Sequence, residues 1–293
     1  MAPDWSSTPM RVADATMHTL RLSDDPLDAW HVSVALPVPG LSGPGPFPTL
    51  YLVDGFMTFP VAAHVARTTA VLSMGQLRPI AVVGITPATG DLGRLMTQRN
   101  RDLTPSTFDA PNLEGQTPYG TGGADAMLDL LSTEIVPHLE ATYPLDPDDR
   151  ALGGMSLGGL FACTALVRTP ERFHRYLAVS PSLWWDHGLL LDETRSPAAG
   201  TGAGATRRDV YLAVGEREAD PASSWPTVPP DMIAMLSGLD MVRDRAVFAA
   251  RLRQDDGLRV HDEVIADEHH ATVWPAACTR GLIHLYRTDR DPS

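Results

Sequence analysis

The stretch of this chain best suited to chemistry is Gly153-Gly154-Met155-Ser156-Leu157-Gly158-Gly159, which carries the pattern G-x-S-x-G within residues 153–159. A hydroxyl nucleophile needs a sharp strand-to-helix turn that lifts it clear of the backbone. Gly154 and Gly158 leave room where side chains would collide with the turn and the neighbouring strand. The backbone amide that follows the serine, from Leu157, then lies at a helix N-terminus and can donate to a developing oxyanion. A serine hydroxyl is a weak nucleophile on its own. Such a site therefore also needs an imidazole base and a carboxylate to orient it, placed in loops after later strands in the order serine, acid, histidine. Downstream, Gly215-Glu216-Arg217-Glu218-Ala219-Asp220 offers three carboxylates, and Asp267-Glu268-His269-His270-Ala271-Thr272 offers two adjacent histidines. The order fits. Spacing alone leaves Glu216, Glu218 and Asp220 open as the acid, and His269 and His270 open as the base.

Those loops need strands to hold them. Short apolar or alternating runs predict N-terminal strands within 14–36 (over 17–22 and 30–36) and further strands over 49–53, 80–85, 149–155, 175–179, 209–214 and 258–266. Helices are expected over 61–72, 125–142, 157–168 and 271–287, with helical material between 229 and 255. The segment 86–123 is rich in turn residues and reads as one long loop, a length that in a compact domain usually has a function. Residues 181–208 read as an insertion or cap, with the Gly-rich 199–205 as a surface connection. Strands alternating with helices predict an α/β architecture with a mainly parallel sheet covered on both faces, in a single domain over 1–293.

The balance of 23 basic against 36 acidic residues, a formal net charge of −13, disfavours nucleic acid and anionic membrane surfaces as partners. No apolar run approaches the ~18–20 residues that span a bilayer. The opening Met-Ala-Pro-Asp-Trp-Ser-Ser lacks the charged and apolar regions of a signal peptide, so a cytoplasmic protein is expected. Cys163 and Cys278 are far apart and fit two buried, reduced thiols. His64, His138, His174 and His187 lack ligand spacing, so no metal and no cofactor is expected.

The residues resemble an α/β-hydrolase of the esterase D and enterochelin-esterase-like group. The resemblance rests on Tyr51-Leu52-Val53-Asp54-Gly55, Arg101-Asp102-Leu103-Thr104-Pro105, Gly154-Met155-Ser156-Leu157-Gly158-Gly159-Leu160-Phe161, Ser180-Pro181-Ser182-Leu183-Trp184-Trp185-Asp186, Gly215-Glu216-Arg217-Glu218 and His270-Ala271-Thr272-Val273-Trp274-Pro275, in that order. It implies Ser156 as nucleophile, His270 rather than His269 as base, and Glu218 as acid. It also implies backbone amides of Leu157 and Phe56 as the oxyanion hole, and Trp184 and Trp185 as a pocket wall.

Arg99 has two readings: an anchor for a polar or anionic substrate group, or half of an internal Arg–Asp pair. The activity implied is serine carboxylic ester hydrolysis of a small molecule, such as a siderophore or another secondary-metabolite ester or lactone, by a monomer or homodimer. The alternative is an acyltransferase or thioesterase-like enzyme using the same acyl-enzyme.

Overall fold

The computed structural model describes residues 12–108, 117–192, 207–220 and 237–288. Its strands β1 (Thr16–Arg21), β2 (Ala29–Ala35), β3 (Phe47–Leu52), β4 (Ala81–Pro87), β5 (Leu145–Met155), β6 (Arg175–Val179), β7 (Arg208–Gly215) and β8 (Leu258–Ile265) form one sheet in the order β1-β2-β4-β3-β5-β6-β7-β8. β1, β2 and β4 pair antiparallel, and every pairing from β4 to β8 is parallel. The central strands are short apolar runs because both of their faces are covered: every residue of β3 and of β6 is buried.

The helices are α1 (Gly55–Leu72), α2 (Leu92–Asp102), α3 (Ala124–Leu130), α4 (Val136–Thr142), α5 (Leu157–Arg168), α6 (Met241–Leu252) and α7 (Val273–Tyr286). Two cores result, one on each face of the sheet. α3, α4, α5 and α6 contribute to one through residues such as Leu128, Leu139, Phe161 and Phe248. α1 and α7 contribute to the other through Phe59, Ala63, Cys278 and Leu282. Cys163 and Cys278 are both buried free thiols. No helix among the described residues is long and apolar enough to cross a membrane.

Several expectations need correction. The segment 86–123 is not one loop: it holds α2, capped by Asp91 accepting from the Arg94 amide at 2.7 Å. α2 shows no apolar stripe because it buries Gln98, Arg99, Asn100 and Asp102; of these, Arg99 pairs with Asp54, and Asp102 accepts from Arg101 and from the Trp30 ring nitrogen. α1 begins at Gly55, six residues before the expected start. Pro60 looks like a helix boundary in sequence, yet the helix runs through it and forgoes one backbone bond. The helix expected over 125–142 is continuous in space but changes to a π-helical turn at Leu131–Ile135. Of the expected insertion 181–208, Trp185–Gly188 and Leu189–Leu191 form short helical turns, while 193–206, including the Gly-rich stretch, lie outside the described residues.

Candidate active site

Ser156 sits at the junction of β5 and α5 with φ 61° and ψ −119°, a backbone region that non-glycine residues rarely occupy. Steric fit around the turn explains its glycines. A Cβ on Gly154 would come within 2.6 Å of the Gly158 carbonyl, and one on Gly159 within 2.9 Å of the Val179 oxygen. The Ser156 amide bonds the Val179 carbonyl at 3.0 Å, which pins the turn to the end of β6.

Four adjacent parallel strands, β5 to β8, end at this same edge of the sheet and deliver the remaining groups. After β7, a turn of 3₁₀ helix (Glu216–Ala219) folds the third residue past Gly215 inward. Glu218 is 1% exposed, and its Oε1 accepts from the Gly215 amide at 2.8 Å and the Ser180 hydroxyl at 2.6 Å. Its Oε2 lies 2.6 Å from His270 Nδ1. That contact assigns the proton of the neutral ring to Nδ1 and leaves Nε2 as the basic nitrogen. Gly215 is where the two loops cross: a Cβ there would stand 2.3 Å from the Glu268 oxygen.

The rival residues have other partners. Glu216 is exposed and accepts from the Asp267 amide at 3.0 Å, tying the loops together from outside, and Asp220 is exposed. His269 braces its own loop, its Nδ1 accepting from the Ala271 amide at 3.2 Å. The Ser156 hydroxyl pairs with the Ser182 hydroxyl at 3.4 Å rather than with His270. Nucleophile–base contacts of this kind are commonly long without substrate and tighten once it is in place.

Phe56 lies in the first turn of α1 rather than in a loop. Asp54 caps that turn in a left-handed conformation (φ 55°, ψ 38°), and its carbonyl accepts the Met57 and Thr58 amides at 2.9 and 3.1 Å. Neither the Phe56 nor the Leu157 amide has a carbonyl partner among the described residues, as expected for first-turn amides at a helix N-terminus. Both can serve an oxyanion.

Arg99 realises the internal pair: its Nε reaches both carboxylate oxygens of Asp54, at 2.8 and 2.7 Å, and the side chain is 7% exposed. As a substrate anchor it is thus corrected to a brace beneath the turn that carries Phe56. Burial pushes the Asp54 carboxyl up by more than Arg99 pulls it down. A Cβ on Gly158 would lie 3.1 Å from the Asp54 carboxylate, so the pair also backs the Ser156 turn. Breaking such a buried pair from one side leaves an uncompensated charge. Asp54→Ala is therefore expected to lose about 3–5 kcal/mol of stability in equilibrium urea unfolding, and a loss below about 1 kcal/mol would contradict this reading.

The two tryptophans separate. Trp184 is half-buried and stands two residues past Ser182. Trp185 is 1% exposed, packs edge-on against Phe108 and donates from Nε1 to the Ser106 hydroxyl at 3.1 Å. Its expected place in the pocket wall is corrected to core packing. Ser180 and Ser182 lie in a motif that carries the resemblance, yet no chemical role follows from their spacing, because hydroxyls beside a proline in a loop carry no such signal. Among the described residues, no group of three or more His, Cys, Asp or Glu side chains is placed to hold a metal ion.

The sequence signature of the family described as Putative esterase matches residues 27–285. The siderophore triacetylfusarinine C esterase of Aspergillus fumigatus is 32% identical over 264 residues, covering 84% of this chain and 83% of that protein. The ferri-bacillibactin esterase BesA of Bacillus subtilis is 26% identical over 251 residues, covering 82% of this chain and 78% of its relative. Among solved structures, the siderophore hydrolase EstB of Aspergillus nidulans is similar with a TM-score of 0.77 at 25% identity, over 100% of both chains. The chain belongs to the Putative esterase family and is a serine carboxylic ester hydrolase on the α/β-hydrolase fold.

Proposed function

We propose that this enzyme hydrolyses the ester bonds of a siderophore, with Ser156 as nucleophile, His270 as general base and acid, and Glu218 as the carboxylate that orients the imidazole. Ser156 Oγ attacks the ester carbonyl while His270 Nε2 takes its proton. The tetrahedral oxyanion sits between the amides of Leu157 and Phe56. Collapse expels the alcohol, which receives the proton from His270. Water, activated by the same imidazole, then releases the acid and regenerates Ser156. Trp184 forms part of the wall that the acyl group meets.

The observation that carries the mechanism is the 2.6 Å contact of His270 Nδ1 with the buried Glu218, at the sheet edge that also bears Ser156. The substrate class comes from the esterase relatives of both fungal and bacterial origin, and their hydrolytic activity favours water over another acyl acceptor. Two buried free thiols fit a reducing, cytoplasmic setting for an enzyme acting on a small molecule as a monomer or homodimer on one domain.

The test is hydrolysis of ferric and iron-free siderophore esters alongside an activated aryl ester, followed by mass spectrometry of the released acids. Cleavage of at least one siderophore at a rate well above the aryl ester supports the assignment. Turnover of the aryl ester with every siderophore left intact would remove the substrate class and keep the esterase. The base role also has a pH signature. kcat/KM should rise from acid to neutral pH as an imidazole loses its proton, whereas a profile flat from about pH 5 to 8 would argue against a histidine base.

A further inference from the structure

We infer that Ser180 is a positioning residue for the reaction: its hydroxyl fixes the Glu218 carboxylate and, through it, the orientation and basicity of His270. This rests on the Ser156–His270–Glu218 reading. Ser180 is wholly buried at the end of β6, with its amide on the Ala213 carbonyl at 2.7 Å. That bond ties it to the neighbouring strand whose end leads to Glu218. Its φ of 44° is one that glycine adopts freely and an L side chain resists. The side chain held there makes one short contact, 2.6 Å to Glu218 Oε1.

A carboxylate that is 1% exposed needs donors to replace its lost hydration, and its three among the described residues divide unevenly. Ser180 and the Gly215 amide both sit on Oε1, at 2.6 and 2.8 Å, and among the described residues His270 alone sits on Oε2, at 2.6 Å. The two donors on Oε1 fix the plane of the carboxylate, so Oε2 faces the imidazole. They also hold part of the negative charge away from it. Two residues further on, the Ser182 hydroxyl touches Ser156 Oγ at 3.4 Å, so one tripeptide borders both ends of the proposed relay.

Loss of the Ser180 hydroxyl has two effects of predictable sign. Orientation is lost, so kcat falls. A positive dipole end is also removed from beside Glu218, so the imidazolium is held more strongly and the acid limb of the kcat/KM profile moves to higher pH. Other charges near the pair stay in place: Glu216, Arg217 and Asp220 on the acid loop, and Asp267, Glu268 and His269 on the base loop. Asp244 and Arg245 on α6, which packs against the acid turn, are equally untouched. A difference between the profiles therefore isolates the hydroxyl.

The experiment records kcat, KM and the pH profile on an activated aryl ester for wild type, Ser180→Ala, Ser180→Gly, Glu218→Gln and the double variant Ser180→Ala/Glu218→Gln. Ser180→Ala should lower kcat ~10-fold, the worth of one hydrogen bond to a charged group, with KM nearly unchanged and the acid limb displaced upward. Ser180→Gly suits the backbone angle, should fold at least as well, and should reproduce both effects. On the Glu218→Gln background the loss of Ser180 should add less than about twofold, because the amide oxygen that still accepts its hydroxyl no longer carries the charge that the imidazole reads.

Kinetics within about twofold of wild type with an unmoved limb in both single variants, or full additivity in the double, would overturn the role of Ser180. A Glu218→Gln enzyme with undiminished activity would overturn the underlying triad instead, and this inference with it. An inactive Glu218→Gln beside a normal Ser180→Ala would sink only the positioning role.

Discussion

Ser156→Ala is expected to lower kcat by ~10³-fold or more while leaving the fold intact, and His270→Ala should do the same. The magnitude follows from what each change removes. Without the Ser156 hydroxyl there is no acyl-enzyme, and the only remaining route is attack by water on an ester held against the Leu157 and Phe56 amides. Without His270, the hydroxyl keeps its proton and the leaving alcohol receives none. Residues that act as a unit are not additive, so the double variant should be no slower than about the slower single one. Stability should hardly change. Ser156 is not fully buried, and the His270 side chain is 32% exposed. Steady-state kinetics with circular dichroism as the folding control checks this; either variant within about tenfold of wild type removes that residue from the reaction.

The second large effect separates the three candidate acids. Glu218→Gln should lower kcat by ~10²–10⁴-fold, because an amide at Oε2 can present its N–H to the ring, favour the wrong tautomer and no longer stabilise the imidazolium. Glu216→Gln and Asp220→Asn should stay within about threefold of wild type, since exposed carboxylates are screened by solvent. Glu216 ties Asp267 to its loop through a 3.0 Å bond that an amide oxygen can still accept. The measurement is the ranking of the three kcat values on one ester. A loss at Glu216 or Asp220 exceeding that at Glu218 would reassign the acid.

How much of this was legible in the sequence depends on which force shapes each element. The serine turn was readable because its glycines answer to sterics: the 2.6 Å approach behind Gly154 admits no side chain. The helix after it and the next strand, α5 and β6, took the bounds that their apolar runs predict. α2 was invisible because polar groups fill its buried face, and periodicity registers only apolar faces. The first turn of α1, which carries Phe56, was hidden behind Pro60.

Within the site, three carboxylates at similar distances from a strand end cannot be ranked by spacing. Tertiary burial ranks them, with Glu218 inside and its two rivals in solvent. Arg99 reads equally as anchor or brace in the sequence, and in the fold its Nε–H is shared between the two carboxylate oxygens of Asp54. Trp185 and Trp184 are chemically equivalent in sequence, and only packing puts one in the core.

The most direct test of the central claim is covalent labelling with a fluorophosphonate, followed by tryptic digestion and mass spectrometry. The reagent phosphonylates a serine whose proton is removed by a neighbouring base and whose oxyanion is held. Ser156 and Ser182 lie 3.4 Å apart yet fall on different tryptic peptides, since Arg168, Arg172 and Arg175 stand between them. A single adduct on the peptide bearing Ser156, lost in His270→Ala, is the predicted result. An adduct on Ser182, or no adduct in an enzyme that still turns over esters, would contradict it.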